Sequence, residues 1–277
     1  MTQVFIGERD VVSVVGEEAT TYLQGQLSQD VAALDIGSSA WSFILQPQGK
    51  VDAWFRITRT GDDAYLLDLD AGFGDVLLAR LKRFLLRTKA EISLETWTLH
   101  AYSETPRELD SAAKIVSPSA TGSGTDVVGP DLADLDIAGL GLESMSADDY
   151  ERRRILAGVP AMGAELNDST IPAEARVVDR SVSFTKGCYT GQELVARVDS
   201  RGDNTPRRLR VVRGSGAAVP GDELTHDGDT AGTITSAVGD GEAFVALAYI
   251  KRTAFDHAEL DLGERSVAVE PVPADSP

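Results

Sequence analysis

Phe184-Thr185-Lys186-Gly187-Cys188-Tyr189-Thr190-Gly191-Gln192-Glu193 places the only cysteine of a 277-residue chain between two glycines and just ahead of a helix start. Thr190 and Glu193 have the spacing of a capping box, in which the threonine hydroxyl takes the backbone N–H three residues on and the glutamate reaches back to the cap. A helix is therefore expected to begin near Gly191. Cys188 then lies two residues before the cap, close to unpaired N–H donors and the positive helix end, with Lys186 nearby, and this setting favours thiolate over thiol. A lone cysteine also reads as a small buried hydrophobe. The glycines on both sides favour the functional thiol, because they imply backbone geometry chosen for close approach.

Working outward, the N-terminal part reads as strands and helices in turn. Residues 11–15 predict a strand. Residues 17–33 predict a helix, with Ala19, Tyr22, Leu23, Leu27 and Val31 at helical spacing. Strands are expected over 40–45, 51–58 and 64–68, separated by turns at Pro47-Gln48-Gly49 and Gly61-Asp62-Asp63. A helix over 73–88 and a strand over 91–101 follow. Strands and helices without strict βαβ alternation argue for α+β, a hairpin-rich sheet with helices on one side.

Residues 111–130 turn rich in serine, glycine and proline and read as a surface connection or a shortened module. A helix is expected over 148–158, stopped by Gly158-Val159-Pro160. Beyond Pro206, β-type segments over 209–213, 230–236, 243–249 and 266–269 alternate with glycine and aspartate turns, the pattern of a small barrel or sandwich.

A net charge of −18 argues against nucleic-acid binding, which needs cations to displace phosphate counterions. No apolar run is long enough to span a bilayer, and the N-terminus lacks a basic segment followed by an apolar one, so no membrane role and a cytoplasmic setting are expected. One cysteine and three scattered histidines, His100, His226 and His257, give no metal-ligand spacing. Against the acidic background, Arg80, Lys82, Arg83, Arg87 and Lys89 cluster without an intervening acid. They read as the solvated basic face of a packed helix, or as a positive field for an anionic ligand or an acidic partner.

Lys186-Gly187-Cys188-Tyr189-Thr190-Gly191-Gln192-Glu193, followed by Val195-Ala196-Arg197 and Arg201-Gly202, resembles the signature of the folate-binding YgfZ family, relatives of the aminomethyltransferase, or T-protein, of the glycine cleavage system. Weaker echoes cover about the whole chain, from residues 19–31 through Gln48-Gly49-Lys50-Val51 to Ala231-Gly232-Thr233-Ile234-Thr235-Ser236. The resemblance implies a T-protein-like three-module arrangement around a central cavity, with an N-terminal α+β module over 1–108, a second α+β module over 109–205 and a C-terminal β-barrel over 206–277. It implies a tetrahydrofolate-binding protein that supports assembly or repair of iron–sulfur enzymes, with reduced folate and iron–sulfur client proteins as partners.

Residue by residue, the resemblance assigns Cys188 the reactive thiol, and Lys186, Gly187, Tyr189, Gln192, Glu193 and Arg197 the folate surroundings. Glu193 also reads as a helix cap, and Arg197 as its pairing partner one turn on. Glu165 matches another family acid and also reads as a turn residue. The loop 46–52 matches the segment carrying the essential aspartate of the aminomethyltransferases, which makes Asp52 a candidate for a polar or proton-handling role. Ala53 stands where those enzymes have a second aspartate. Within Arg154-Ile155-Leu156-Ala157-Gly158, Leu156 stands where the family has a pterin-pairing glutamate, and leucine accepts no hydrogen bond. Two further readings remain: a folate-dependent aminomethyltransferase or demethylase-type one-carbon enzyme using Asp52, and a noncatalytic interaction module.

Overall fold

The fold was taken from a computed structural model that describes residues 1–106, 112–132, 136–202 and 204–273. In chain order it contains β1 (Gln3–Val15), α1 (Ala19–Gln26), β2 (Ser39–Leu45), β3 (Val51–Gly61), β4 (Ala64–Asp70), α2 (Gly74–Lys82), β5 (Glu91–Tyr102), β6 (Ile115–Pro118), β7 (Thr125–Gly129), β8 (Glu143–Ser144), α3 (Ala147–Leu156), α4 (Val178–Ser181) and α5 (Gln192–Asp199). β9 (Arg207–Ser215), β10 (Glu223–His226), β11 (Asp229–Gly239), β12 (Ala243–Lys251), β13 (Glu259–Leu262) and β14 (Arg265–Pro271) complete it. This is the expected α+β architecture, rich in sheet and closed by a small barrel.

The first sheet runs β2-β3-β4-β1-β5-β7-β6, with β8 added in parallel to the start of β1. Side chains alternate across a strand, and the two faces have separate cores. Val12, Val14, Phe55, Ile57, Leu67 and Leu69 pack against Leu23 and Leu27 at α1 and Leu77 and Leu81 of α2. Their neighbours Val11 and Leu66 join Trp97, Leu99, Ile115 and Val128 in a second cluster, against which Phe5 and Tyr150 of α3 stack at 4.3 Å. Into this second face the sheet also sets charges. Arg56 pairs with Asp68 at 2.7 Å and Asp126 at 2.6 Å, and Arg9 bridges Asp68 and Asp70. Burial alone would push the Asp68 carboxyl up, but Arg56 and Arg9 outweigh it and hold it below its ordinary value.

Three expectations change. Residues 115–118 and 125–129 are strands of the first sheet rather than a surface connection, β7 buried throughout and β6 at alternate residues, because β7 pairs Thr98–Tyr102 of β5 and β6 pairs β7. The residue Ser111 and the expected boundary at 108/109 lie outside the described residues. α1 stops seven residues short of Ala33, since Leu27 turns extended and bridges Ile44 while Ser28 N–H donates to the Phe43 carbonyl. α2 stops at Lys82, and its continuation to Thr88 is a series of turns in which Arg87 takes a left-handed backbone, φ 62°.

The six-stranded barrel closes in the order β10-β11-β12-β9-β14-β13. Small residues make this closure practicable: Ala246 and Ala248 of β12 are wholly buried among Val212, Ile234, Leu260 and Val267. The strands β10 and β13 escaped the sequence reading, each being only four residues long.

Candidate functional site

Lys186 joins the motif to the end of α1. Its ammonium donates to the carbonyls of Gln24 at 2.6 Å, Leu27 at 2.6 Å and Gln29 at 3.0 Å. A helix end leaves carbonyls without intrahelical partners, and a lysine is the natural donor to them. This explains why α1 ends here. Burial draws the Lys186 ammonium down to about 8, with Asp30 opposing. The ammonium also sits 5.2 Å from the Tyr189 ring centroid, and burial raises the Tyr189 phenol to about 12.

The two motif glycines differ in their reason for being there. Gly191 holds φ 84°, and a Cβ on it would lie 2.6 Å from the Gln46 carbonyl oxygen and 2.8 Å from Leu45 Cβ. Only glycine satisfies both demands. Gly49 meets the motif from the other side, with φ 77° and Leu194 Cβ at 2.5 Å from its own virtual Cβ. Gly187 is exposed with open space around it, so close approach is not what selects it.

α5 starts where expected, but the capping box does not form. Gly191 is the N-cap, no side chain caps the helix, and the Gln192 side-chain oxygen instead accepts from the Tyr189 N–H at 3.3 Å. Ser183, Phe184, Lys186, Tyr189, Gln192 and Glu193 line a cleft of about 310 Å³. Phe184, half exposed at 50%, is a lining residue that the sequence reading does not assign to the site. Its signal was an exposed aromatic directly before the glycine turn. Cys188 is exposed and unpaired beside this cleft, not buried as the structural reading of a lone cysteine would have it. Arg197 is exposed on α5, outside the cleft lining, and no hydrogen bond or ion pair joins it to Glu193 among the described residues.

Asp52 lies elsewhere. Its carboxylate accepts from Arg80 Nε at 3.2 Å, and Arg80 also donates to the Leu45 carbonyl and the Gln26 side chain. Gln46, Gln48, Asp52, Arg80, Arg83 and Phe84 line a second cleft of about 340 Å³ that shares no lining residue with the first. Arg80 read in sequence as part of a basic helix face, and only tertiary structure sets it against Asp52.

Glu165 is wholly buried, and both carboxylate oxygens are taken. Arg154 and the Ala161 N–H donate to Oε2 at 3.1 and 2.9 Å, while Thr235 and Ser236 of β11 donate to Oε1, each at 2.6 Å. It lies in the turn 163–165, as the turn reading expects, and lines neither cleft; it fastens residues 154–165 to the barrel. Leu156 packs there as well, against the cluster of Leu209, Val211, Leu247 and Tyr249.

Comparison with known proteins agrees with this architecture. Residues 207–275 match the CAF17 C-terminal beta-barrel domain. The whole fold superposes on an aminomethyltransferase T of the glycine cleavage system from Bartonella henselae, with a TM-score of 0.79 at 16% identity, covering 99% of this chain and 87% of that one. The chain is thus T-protein-like in fold, with a CAF17-type barrel at its C-terminal end. Within that class it is similar to YgfZ and IBA57 proteins, the kinship its Lys186–Glu193 motif leads one to expect. It is 28% identical to a tRNA-modifying protein YgfZ of Vibrio vulnificus, over 76% of this chain and 68% of the relative. It is 29% identical to a mitochondrial iron–sulfur cluster assembly factor IBA57 homolog of Aspergillus fumigatus, over 79% of this chain and 59% of that longer protein. An uncharacterized protein of Haemophilus influenzae is 28% identical over 82% of this chain and 81% of its own length. No helix among the described residues is long and apolar enough to cross a membrane.

Proposed function

We propose that this chain binds a reduced folate in the cleft beside α5 and supports iron–sulfur cluster assembly or repair through Cys188. The observation that carries the reading is that one ten-residue motif supplies both most of the lining of a ligand-sized cleft and an exposed thiol next to it. Ligand sites commonly start at about 300 Å³ and combine aromatic walls with a few polar groups. Here Tyr189 and Phe184 are the aromatic walls, the Gln192 amide is the donor, and the Glu193 carboxylate is an acceptor for an aminopyrimidine edge. Arg197, exposed on the same helix, is the cation for a folate carboxylate.

Neither Leu156 nor Glu165 fits that ligand: the first accepts no hydrogen bond, and the second has no oxygen left to offer. Glu193 takes over the acceptor role in this reading. When bound, a reduced folate supplies a carrier for one-carbon units. Lys186 keeps the cleft wall in place through its three carbonyl partners. Cys188 meets the client: its sulfur attacks a client disulfide, breaking that S–S bond and releasing the other client sulfur as a thiol that takes up the Cys188 proton, or it loses its proton and ligates cluster iron. The iron–sulfur role follows the names of the IBA57 relatives. Asp52 stays outside this reading, because it opens into the other cleft and already accepts from Arg80.

Calorimetric titration with tetrahydrofolate, beside oxidised folate as a control, tests the cleft. Saturable binding that weakens in Gln192→Ala and Glu193→Ala is expected; no heat at millimolar tetrahydrofolate removes the folate proposal.

A further inference from the structure

The basic cluster, read in sequence as a helix face, is built otherwise. α2 ends at Lys82, and the turns beyond it carry Arg83, Phe84, Leu86 and Arg87 out of the protein. Phe84 is 47% and Leu86 85% exposed, so two large apolar side chains stand in solvent among cations. Arg80 and Arg83 place their guanidinium groups 4.4 and 5.7 Å from the Phe84 ring centroid. The ring forms part of the wall of the second cleft, about 340 Å³ in volume. Residues 76–90 contain no acid, in a chain with 44 acids and 26 lysines and arginines.

A solvated basic face explains the charges but not the exposed Phe84 and Leu86. Exposed apolar groups rimmed by one sign of charge mark interaction surfaces. We infer that residues 82–87, with the cleft floored by Phe84, form a docking surface for an acidic protein segment that presents an apolar or aromatic side chain. Charge complementarity selects the partner's sign: Lys82, Arg83 and Arg87 are exposed, whereas the charge of Arg80 is already answered by Asp52. The exposed Phe84 and Leu86 select the anchor. This surface is independent of the folate reading, since it uses none of the residues that line the cleft beside α5.

The test uses the full chain and a fluorescein-labelled peptide of glutamates and aspartates around one central phenylalanine. Anisotropy should show binding that weakens steeply with salt. The Arg83→Glu/Arg87→Glu double variant should lose about tenfold or more in affinity, and Leu86→Ser a few fold, with tetrahydrofolate titrations and melting points unchanged. The inference is overturned if the peptide does not bind at millimolar concentration, or if the variants bind as well as the parent. It is equally overturned if a central alanine or poly-γ-glutamate binds as tightly, which would make the surface a simple anion site. Sedimentation showing a dimer that the double variant dissolves would assign the surface to a second copy and end the proposal.

Discussion

Two regions of this molecule handle polar groups in opposite ways. On the sheet's second face, Arg9, Arg56, Asp68 and Asp126 form a buried network that reaches the half-buried Asp70 and leaves Asp126 Oδ1 alone without a partner among the described residues, and Glu165 has both oxygens committed to protein donors. In the cleft beside α5, Glu193 is exposed and the Gln192 amide nitrogen has no protein partner among the described residues. A buried charge demands satisfaction, and once satisfied it has nothing left for a ligand. The comparison teaches that an acid matching a family position is a site candidate only if the fold leaves it unspent. Glu165 fails that test and Glu193 passes it.

The sharpest way to break the comparison is to remove a network member. Arg56→Met should destabilise the protein by about 4 kcal/mol, because it strands Asp68 and Asp126 without their main partner in an apolar setting. Urea unfolding measures this, and a loss below about 1 kcal/mol would mean that water or rearrangement satisfies both carboxylates. The pH dependence has a definite sign. Asp68 is held below its ordinary value by Arg56 and Arg9, so its contribution is complete above the carboxylate range and is lost only as the pH falls through and below it. Acid unfolding should therefore begin at lower pH than for a protein whose carboxylates titrate normally, and Arg56→Met should move its onset upward.

Where the cleft's helix starts against Leu45 and Gln46, Gly191→Ala should cost about 2 kcal/mol. The substitution forces alanine into φ 84° and drives its Cβ against the Gln46 carbonyl oxygen. The comparison sharpens here, because the same change should also distort the cleft lining and weaken tetrahydrofolate binding, whereas Arg56→Met at sub-denaturing urea should leave the affinity intact. Equal folate affinity in Gly191→Ala would separate the glycine's packing role from the ligand.

Much of this was legible beforehand. The hairpins from β2 to β4 announce themselves through period-two alternation and turn residues, and the Gly191 helix start through the motif. What failed has common causes. Helical spacing over 17–33 continues past Gln26, but Lys186 supplies donors to its carbonyls and the chain can leave the helix early. The serine and glycine composition of residues 111–130 hid two strands, β7 pairing with β5 and β6 with β7, contacts no local pattern reveals. Capping-box spacing was present in Thr190 and Glu193, yet Gly191 in a left-handed conformation took the cap position. The meeting of Asp52 with Arg80 spans 28 residues and two elements, so neither residue carries a sequence sign of the other.

Lys186, in the lining of the cleft, is a half-buried cation whose partners are carbonyls rather than acids. Lys186→Met should cost about 1 kcal/mol, less than three separate hydrogen bonds would suggest, since the site is half open to water. Because burial lowers this ammonium to about 8, the unfolded chain holds a proton that the folded chain releases between about 8 and the ordinary lysine value. Wild-type stability relative to Lys186→Met should then rise with pH across that window, its contribution being complete above it and lost as the pH falls through about 8. A flat difference from pH 7 to 10 in paired denaturant titrations would show that the three carbonyls keep the ammonium charged throughout.

The smallest structural effect is expected at Cys188. The thiol is exposed and has no partner, so Cys188→Ser should leave the melting point and tetrahydrofolate affinity unchanged. Its effect should fall on chemistry alone: labelling with an iodoacetamide probe should be rapid near neutral pH in the parent and absent in the variant, and activation of an iron–sulfur client in a cell extract should drop with it. If the serine chain supports client activation as well as the parent, the exposed sulfur is incidental. The cleft would then have to account for the function without it, and the unspent groups Gln192 and Glu193 would become the place to look.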